Sequence, residues 1–223
     1  MEEPKVLFSI FGLDVTGHIT TMWAIMLFMF VVLVLATRKL EKIPGRFQCL
    51  VEYTIEGLLN YFSGIMGREK ARRYFPILAT LFLFILISNW SGVLPMAGHV
   101  EGFRPLTSTL SVTGGLGIVA FIVTQIAGFR EKGFAYLKHF ISPFPVMLPL
   151  NLIEELVRPL SLSLRLYGNI FGEEMVVAVL LSIAPYFAPI PMQLLGLLFG
   201  FIQALVFTTL TAIYISQATA EAH

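Results

Sequence analysis

From Thr21 to Ala36 every position after the first is apolar, and with their flanks these residues approach the roughly 20 that a helix needs to cross a bilayer. The pattern then changes. Between Phe47 and Met66, Gln48, Glu52, Glu56 and Asn60 recur at every fourth position, which lays one polar stripe along an otherwise apolar helix. That helix is predicted to lie along the membrane or against a partner. Phe75 to Leu94 and about Thr107 to Phe129 are again long and apolar, and the loop between them, Pro95 to Pro105, is nearly free of Lys and Arg. After Pro143, Pro145 and Pro149 comes a run from about Leu150 to Ser182, longer than a perpendicular crossing requires and therefore predicted to tilt. Pro185, Pro189 and Pro191 are predicted to break it, and a last helix should run from about Met192 to Gln217.

The predicted fold class is thus all-α: a polytopic membrane protein with about five membrane-crossing helices plus one amphipathic helix, the last two helices long and tilted. Residues 1–223 form a single integral membrane domain. It divides into a first span and basic turn (1–46), the amphipathic helix (47–74), a membrane hairpin (75–140) and the two long helices (141–223). No internal repeat and no low-complexity stretch is visible.

Composition narrows the class. Of 223 residues, 57% are hydrophobic and 13% charged, a balance that excludes an ordinary soluble monomer. A net charge of +1 gives no reason to expect nucleic acid or an acidic substrate, so the placement of charge carries the information. Three basic stretches stand out: Arg38 to Lys42 with Arg46, Arg68 to Arg73, and Arg130 to Lys132 with Lys138 and His139. All fall on one side of the predicted topology, which the positive-inside rule makes the cytoplasm or its equivalent. The N-terminus is then outside and the C-terminus inside. Met1-Glu2-Glu3-Pro4 is acidic where a signal peptide carries positive charge, so the first apolar segment is expected to be retained. Cys49 is the only cysteine and no Cys/His spacing suits a metal, so no metal or cofactor is expected.

The candidate chemistry lies in the long run after Leu150. An arginine in mid-bilayer costs roughly 3 kcal/mol on insertion scales, so Arg165 needs a reason. At about 100° per residue, Glu154, Arg158, Ser161, Arg165 and Asn169 share one face of an otherwise apolar rod. Arg158 has Glu154 at i−4, and a simple ion pair is as good a reading of it as a functional cation. Arg165 differs: its four-residue neighbours, Ser161 and Asn169, cannot neutralise it, and its anionic partner is expected elsewhere. On the last helix Gly196, Gln203, Tyr214 and Gln217 fall near one face, with Thr211 on its flank, and this face can meet that of Arg165. Gly168 with Gly172 and Gly196 with Gly200 have the spacing that lets membrane helices pack closely.

Glu154-Glu155 followed by Arg158-Pro159-Leu160-Ser161-Leu162-Ser163-Leu164-Arg165-Leu166-Tyr167-Gly168-Asn169-Ile170-Phe171-Gly172-Glu173-Glu174 resembles the signature of the F-type ATP synthase a-subunit family. Gln203-Ala204 through Tyr214 resembles its final helix, and the order of segments fits along nearly the whole chain. The resemblance implies a stator of the F0 sector in a bacterial plasma membrane. It would lie against a ring of c subunits, each with one buried carboxylate, with the b-subunit stalk and, indirectly, the F1 head as further partners. It further implies that Arg165 is the essential cation between two half-channels, that the subunit has no catalytic activity alone, and that no cofactor is bound. A guanidinium cannot itself relay a proton, but its charge keeps a nearby carboxylate ionised, so it can strip protons from arriving ring carboxylates.

Asn169, Gln203 and Tyr214 match polar family positions beside the arginine, and Asn89 matches a hairpin position that helps line a channel. Glu174 matches an acidic position nine residues beyond the arginine, which some relatives pair with a histidine. Here the facing position is Gly196, and Glu173 adds a second carboxylate. Two adjacent carboxylates can share a proton, which suits a relay, although a solvated helix end accounts for Glu173 equally well. Of the two, Glu174 is expected to matter more. Gly92 and Thr109 stand where some relatives have acids, so the outer route is expected to be lined by hydroxyls and water. The coupling ion is expected to be the proton, with sodium as the alternative. A secondary transporter binding an anion at Arg165 is the rival from another class, though it would ordinarily show two related halves.

Overall fold

The computed structural model describes residues 6–10, 13–37, 45–92, 106–133, 136, 148–183 and 189–220. A two-stranded antiparallel hairpin, β1 (Val6–Ile10) and β2 (Leu13–Thr16), leads into α1 (Gly17–Thr37). Then follow α2 (Arg46–Met66), α3 (Arg68–Ser91), a short 3-10 turn (Leu106–Ser108), α4 (Leu110–Lys132), α5 (Leu148–Ile183) and α6 (Pro189–Thr219). Helices α3 to α6 are long and apolar enough to cross a membrane, and α1 carries a shorter apolar stretch, Ile19–Val34. At 36 residues α5 is about 54 Å long against a hydrocarbon layer of about 30 Å, so tilt is required of it. The membrane protein of helices expected from the pattern is what forms, with the small hairpin added before α1.

Two boundaries differ from expectation for physical reasons. The basic cluster Arg68–Arg73, grouped above with the amphipathic helix (47–74), instead forms the first turns of the third helix, because Gly67, at φ +81°, turns the chain sharply enough for α3 to start at once. Pro189 and Pro191 do not precede the last helix but open it, since the first turn has no intrahelical partner for the N–H that proline lacks. The basic turn around Arg38–Lys42, the loop expected on the outer side (Pro95 to Pro105), Lys138, His139 and Pro185 lie outside the described residues.

The helices share a layered core. Phe62 and Met66 of α2 meet Tyr74 and Leu78 of α3, Ala127 of α4 and Ile215 of α6. Further along, Phe82 and Ile85 of α3 pack with Ala120 of α4, Leu162 and Leu166 of α5, and Phe207 of α6. Polar ties fix which ends lie together. Arg73 pairs with Glu131, joining the start of α3 to the end of α4, and Lys70 Nζ donates to the Thr219 carbonyl at 2.9 Å, capping α6. The basic ends of α3 and α4 and the end of α6 therefore occupy one side of the bundle. Helices α4 and α5 approach through Gly117: a Cβ there would collide with Ser163 Oγ and stand 2.7 Å from the Pro159 carbonyl oxygen.

Candidate functional site

Arg165 sits on α5 between Leu162 and Leu166, which turn into the core, and its own side chain is exposed. Among the described residues it has no ion pair and no hydrogen-bond partner. One turn on, Asn169 Nδ2 donates to Gln203 Oε1 of α6 at 2.8 Å, with Gln203 buried. This amide pair flanks the arginine, as the matching of faces predicted.

Helices α5 and α6 run antiparallel. Glu173 lies against Gly196, Asn169 against Gln203, and Arg158 against Tyr214. Tyr214 is therefore not beside Arg165, contrary to expectation: it is eleven residues beyond Gln203, about 16 Å along the helix, and its ring lies 5.1 Å from the Arg158 guanidinium. One helical face is a long stripe, and sharing it does not bring residues together.

The Glu173 carboxylate fills the space that the glycine leaves open. A Cβ on Gly196 would collide with Glu173 Oε1 and stand 2.9 Å from Oε2. Of the two glutamates, Glu173 is thus the one seated in the α5–α6 seam, half-buried; Glu174 is also half-buried and has a polar partner of its own. The glycine pairs behave differently from one another. Gly200 receives the Asn89 side chain, whose Cβ would be 3.0 Å from an added Cβ, whereas one at Gly168 or Gly172 would meet nothing within 4 Å. The pair on α6 is used inside this chain and the pair on α5 is not.

Asn89 is buried and fully engaged. Its Nδ2 donates to the Gly200 carbonyl at 3.0 Å and its Oδ1 accepts from Thr107 Oγ1 at 2.7 Å. Next to it Trp90 Nε1 donates to the Leu197 carbonyl at 3.0 Å. Gly92 caps α3 and Thr109 caps α4, both bonded to nearby backbone.

Two turns before Arg165 on α5, Arg158 is held from several sides. Nη2 donates to Glu154 and Nη1 to Glu155, both at 2.9 Å, so the ion pair read from the sequence forms and gains a second carboxylate. Glu155 in turn accepts from Gln125 Nε2 of α4 at 2.9 Å, and the Gln125 side chain is hydrogen-bonded to the Tyr136 hydroxyl. Tyr136 is buried at 1% exposure, its ring edge-on to Phe129 with centroids 5.1 Å apart. Burial pushes its phenol above the usual range and the nearby Glu155 carboxylate adds to this, so it stays a neutral hydroxyl. Gln125 and Tyr136 were not singled out from the sequence, where nothing local links them to Glu155. Among the described residues no three His, Cys, Asp or Glu side chains gather closely enough to hold a metal ion.

Comparison with known proteins bears on what this arrangement does. The family profile described as ATP synthase A chain matches residues 19–216. The chain is 44% identical over 210 residues to ATP synthase subunit a 1 of Syntrophotalea carbinolica, covering 92% of this chain and 87% of the relative. It is 44% identical over 215 residues to ATP synthase subunit a of Moorella thermoacetica, covering 96% and 95%. To ATP synthase subunit a of Geobacter sulfurreducens it is 42% identical over 205 residues, covering 90% and 86%.

Proposed function

Because this chain belongs to the ATP synthase A chain family, we propose that it is the fixed proton-translocating subunit of the complex's membrane sector, with Arg165 as its electrostatic gate. In this reading a ring of c subunits turns past the exposed face of α5, and each c subunit brings one carboxylate to Arg165. The observation that carries the reading is an arginine on a membrane-crossing helix that is exposed and unpaired among the described residues, while its neighbour two turns away is fully paired. A lone guanidinium in hydrocarbon is costly, and a counter-charge on a second polypeptide offsets part of that cost.

The mechanism follows from the charge. A protonated ring carboxylate nearing Arg165 is favoured as the anion, so it gives up its proton toward one side of the membrane. The guanidinium holds its own proton throughout and blocks direct passage between the two half-channels. Glu173, seated at Gly196, and the Asn169–Gln203 pair line the approach from the outer side, with Glu174 next to the relay. Asn89 positions α6 for that route by holding the Gly200 carbonyl, and Tyr214 belongs to the inner half through its contact with Arg158. The subunit has no catalytic activity alone. It sits in a bacterial plasma membrane with its N-terminus outside and its C-terminus cytoplasmic, held by the b-subunit stalk and linked through it to the F1 head. Protons are the coupling ion.

The test is Arg165→Ala in vesicles carrying the whole complex. ATP-driven acidification is expected to vanish while the subunit remains inserted and assembled. Coupled pumping that survives the substitution overturns the reading, and pumping that requires sodium replaces the ion.

A further inference from the structure

We propose that Tyr136 and Gln125 are positioning residues: they hold Glu155 on Arg158, so that of the two guanidinium groups on the α5 stripe only Arg165 is electrically open to a ring carboxylate. The inference rests on the function proposed above and concerns residues to which that function gave no role.

The chain of contacts is built rather than incidental. Both Glu155 oxygens are occupied, Oε1 by Arg158 Nη1 and Oε2 by Gln125 Nε2, each at 2.9 Å. Gln125 is tied in turn to the Tyr136 hydroxyl. The Tyr136 ring has room only because position 128 is glycine, since a Cβ there would stand 2.7 Å from the ring's Cζ. The two glutamates on Arg158 are not equivalent. The Glu154 side chain is 63% exposed and that of Glu155 10%, so water screens the first pair far more than the second. Of the two carboxylates on Arg158, Glu155 is therefore the one whose cancelling effect water weakens least, and Gln125 with Tyr136 keeps it from turning away; without it Arg158 is left with only the screened Glu154.

The cancellation matters because of distance. Arg158 and Arg165 are seven residues apart on one helical face, about 10 Å. At that range and an effective dielectric near 20, one uncancelled unit charge changes the free energy of a proton or a ring carboxylate by about a tenfold factor in population. An open Arg158 would repel protons leaving toward the inner side and offer ring carboxylates a second, misplaced cation.

The experiment uses vesicles with the whole complex, measuring ATP-driven pumping and, after removal of the soluble head, passive proton conductance. Glu155→Gln is expected to slow both by about tenfold. Removing the cation as well, in the double variant Glu155→Gln with Arg158→Gln, is expected to restore both to within about threefold of the unsubstituted complex. A role confined to packing predicts no such rescue. Tyr136→Phe and Gln125→Leu, which keep the side-chain volume, should each slow transport per assembled complex by about two- to threefold, with the subunit still inserted and assembled, and neither should add to Glu155→Gln. A double variant as slow as Glu155→Gln alone overturns the proposal. So does full-rate transport in both Tyr136→Phe and Gln125→Leu, a result obtainable even if Glu155→Gln fails to assemble. Arg165→Ala in the same vesicles separates the two levels: retained pumping there removes the assigned function, whereas lost pumping without the rescue removes only this inference.

Discussion

Arg158 and Arg165 lie on the same face of the same helix, yet their surroundings are opposites. Arg158 has two carboxylates at 2.9 Å and an aromatic ring 5.1 Å away, and its side chain is only 22% exposed. Arg165 is exposed and without an ion pair among the described residues. Two residues of identical chemistry have thus been given different tasks by their neighbours alone. A cation whose charge is cancelled inside the chain holds helices together, and one whose charge is left over is, in the function proposed above, open to a partner on another chain.

The comparison can be broken by giving Arg165 what Arg158 has. Ser161→Glu would place a carboxylate at i−4, the relation Glu154 bears to Arg158, and glutamate N-terminal to a cation is the favourable order. Proton pumping is expected to fall by roughly a hundredfold, the effect of about 2.7 kcal/mol of competing stabilisation, with the subunit still inserted. Normal pumping in that variant would mean that the openness of Arg165 is irrelevant. A smaller effect is expected at the Glu173–Gly196 end of the seam. Gly196→Ala displaces the Glu173 carboxylate, and transport should fall several-fold, roughly five, as should Glu173→Gln. Glu174→Gln slowing transport more than either would move the outer relay to Glu174. The smallest change in transport is expected at Asn89. Asn89→Ala forfeits two buried hydrogen bonds, one to the Gly200 carbonyl and one from the Thr107 hydroxyl, a loss of about 1–3 kcal/mol visible as a lower unfolding temperature. Transport per assembled complex should stay within about twofold, because both Asn89 bonds serve packing. A larger loss would return Asn89 to the proton route itself.

Much of this was legible in the sequence, and what was not has a common cause. The four-residue spacing of Glu154 and Arg158 is local geometry, so their pairing could be read directly, and so could the lack of a neutralising neighbour for Arg165. The Gln125–Glu155 bond joins residues 30 apart across a segment with no periodicity, and only the packing of α4 on α5 creates it. Glu173 and Glu174 differ by about 100° on the helix, so the crossing of α5 and α6 decides which one meets Gly196. Tyr214 shares a face with Gln203 yet lands beside the other arginine, because periodicity gives direction around a helix and antiparallel register gives position along it. The segment boundaries followed the apolar runs, and they slipped where a single glycine or proline acts within one turn, at Gly67 and Pro189.

Gly168 and Gly172 have nothing within 4 Å of where a side chain would begin, on the face that also bears Arg165. Side chains that interlock with a partner make ridges and grooves, and each ridge a moving partner crosses adds a barrier. Near its one charge this face of α5 is low and nearly without ridges, which gives it the character of a bearing. In the function proposed above, a rotor would glide across it with little friction and be held at only one angular position per subunit, the one where its carboxylate meets the guanidinium.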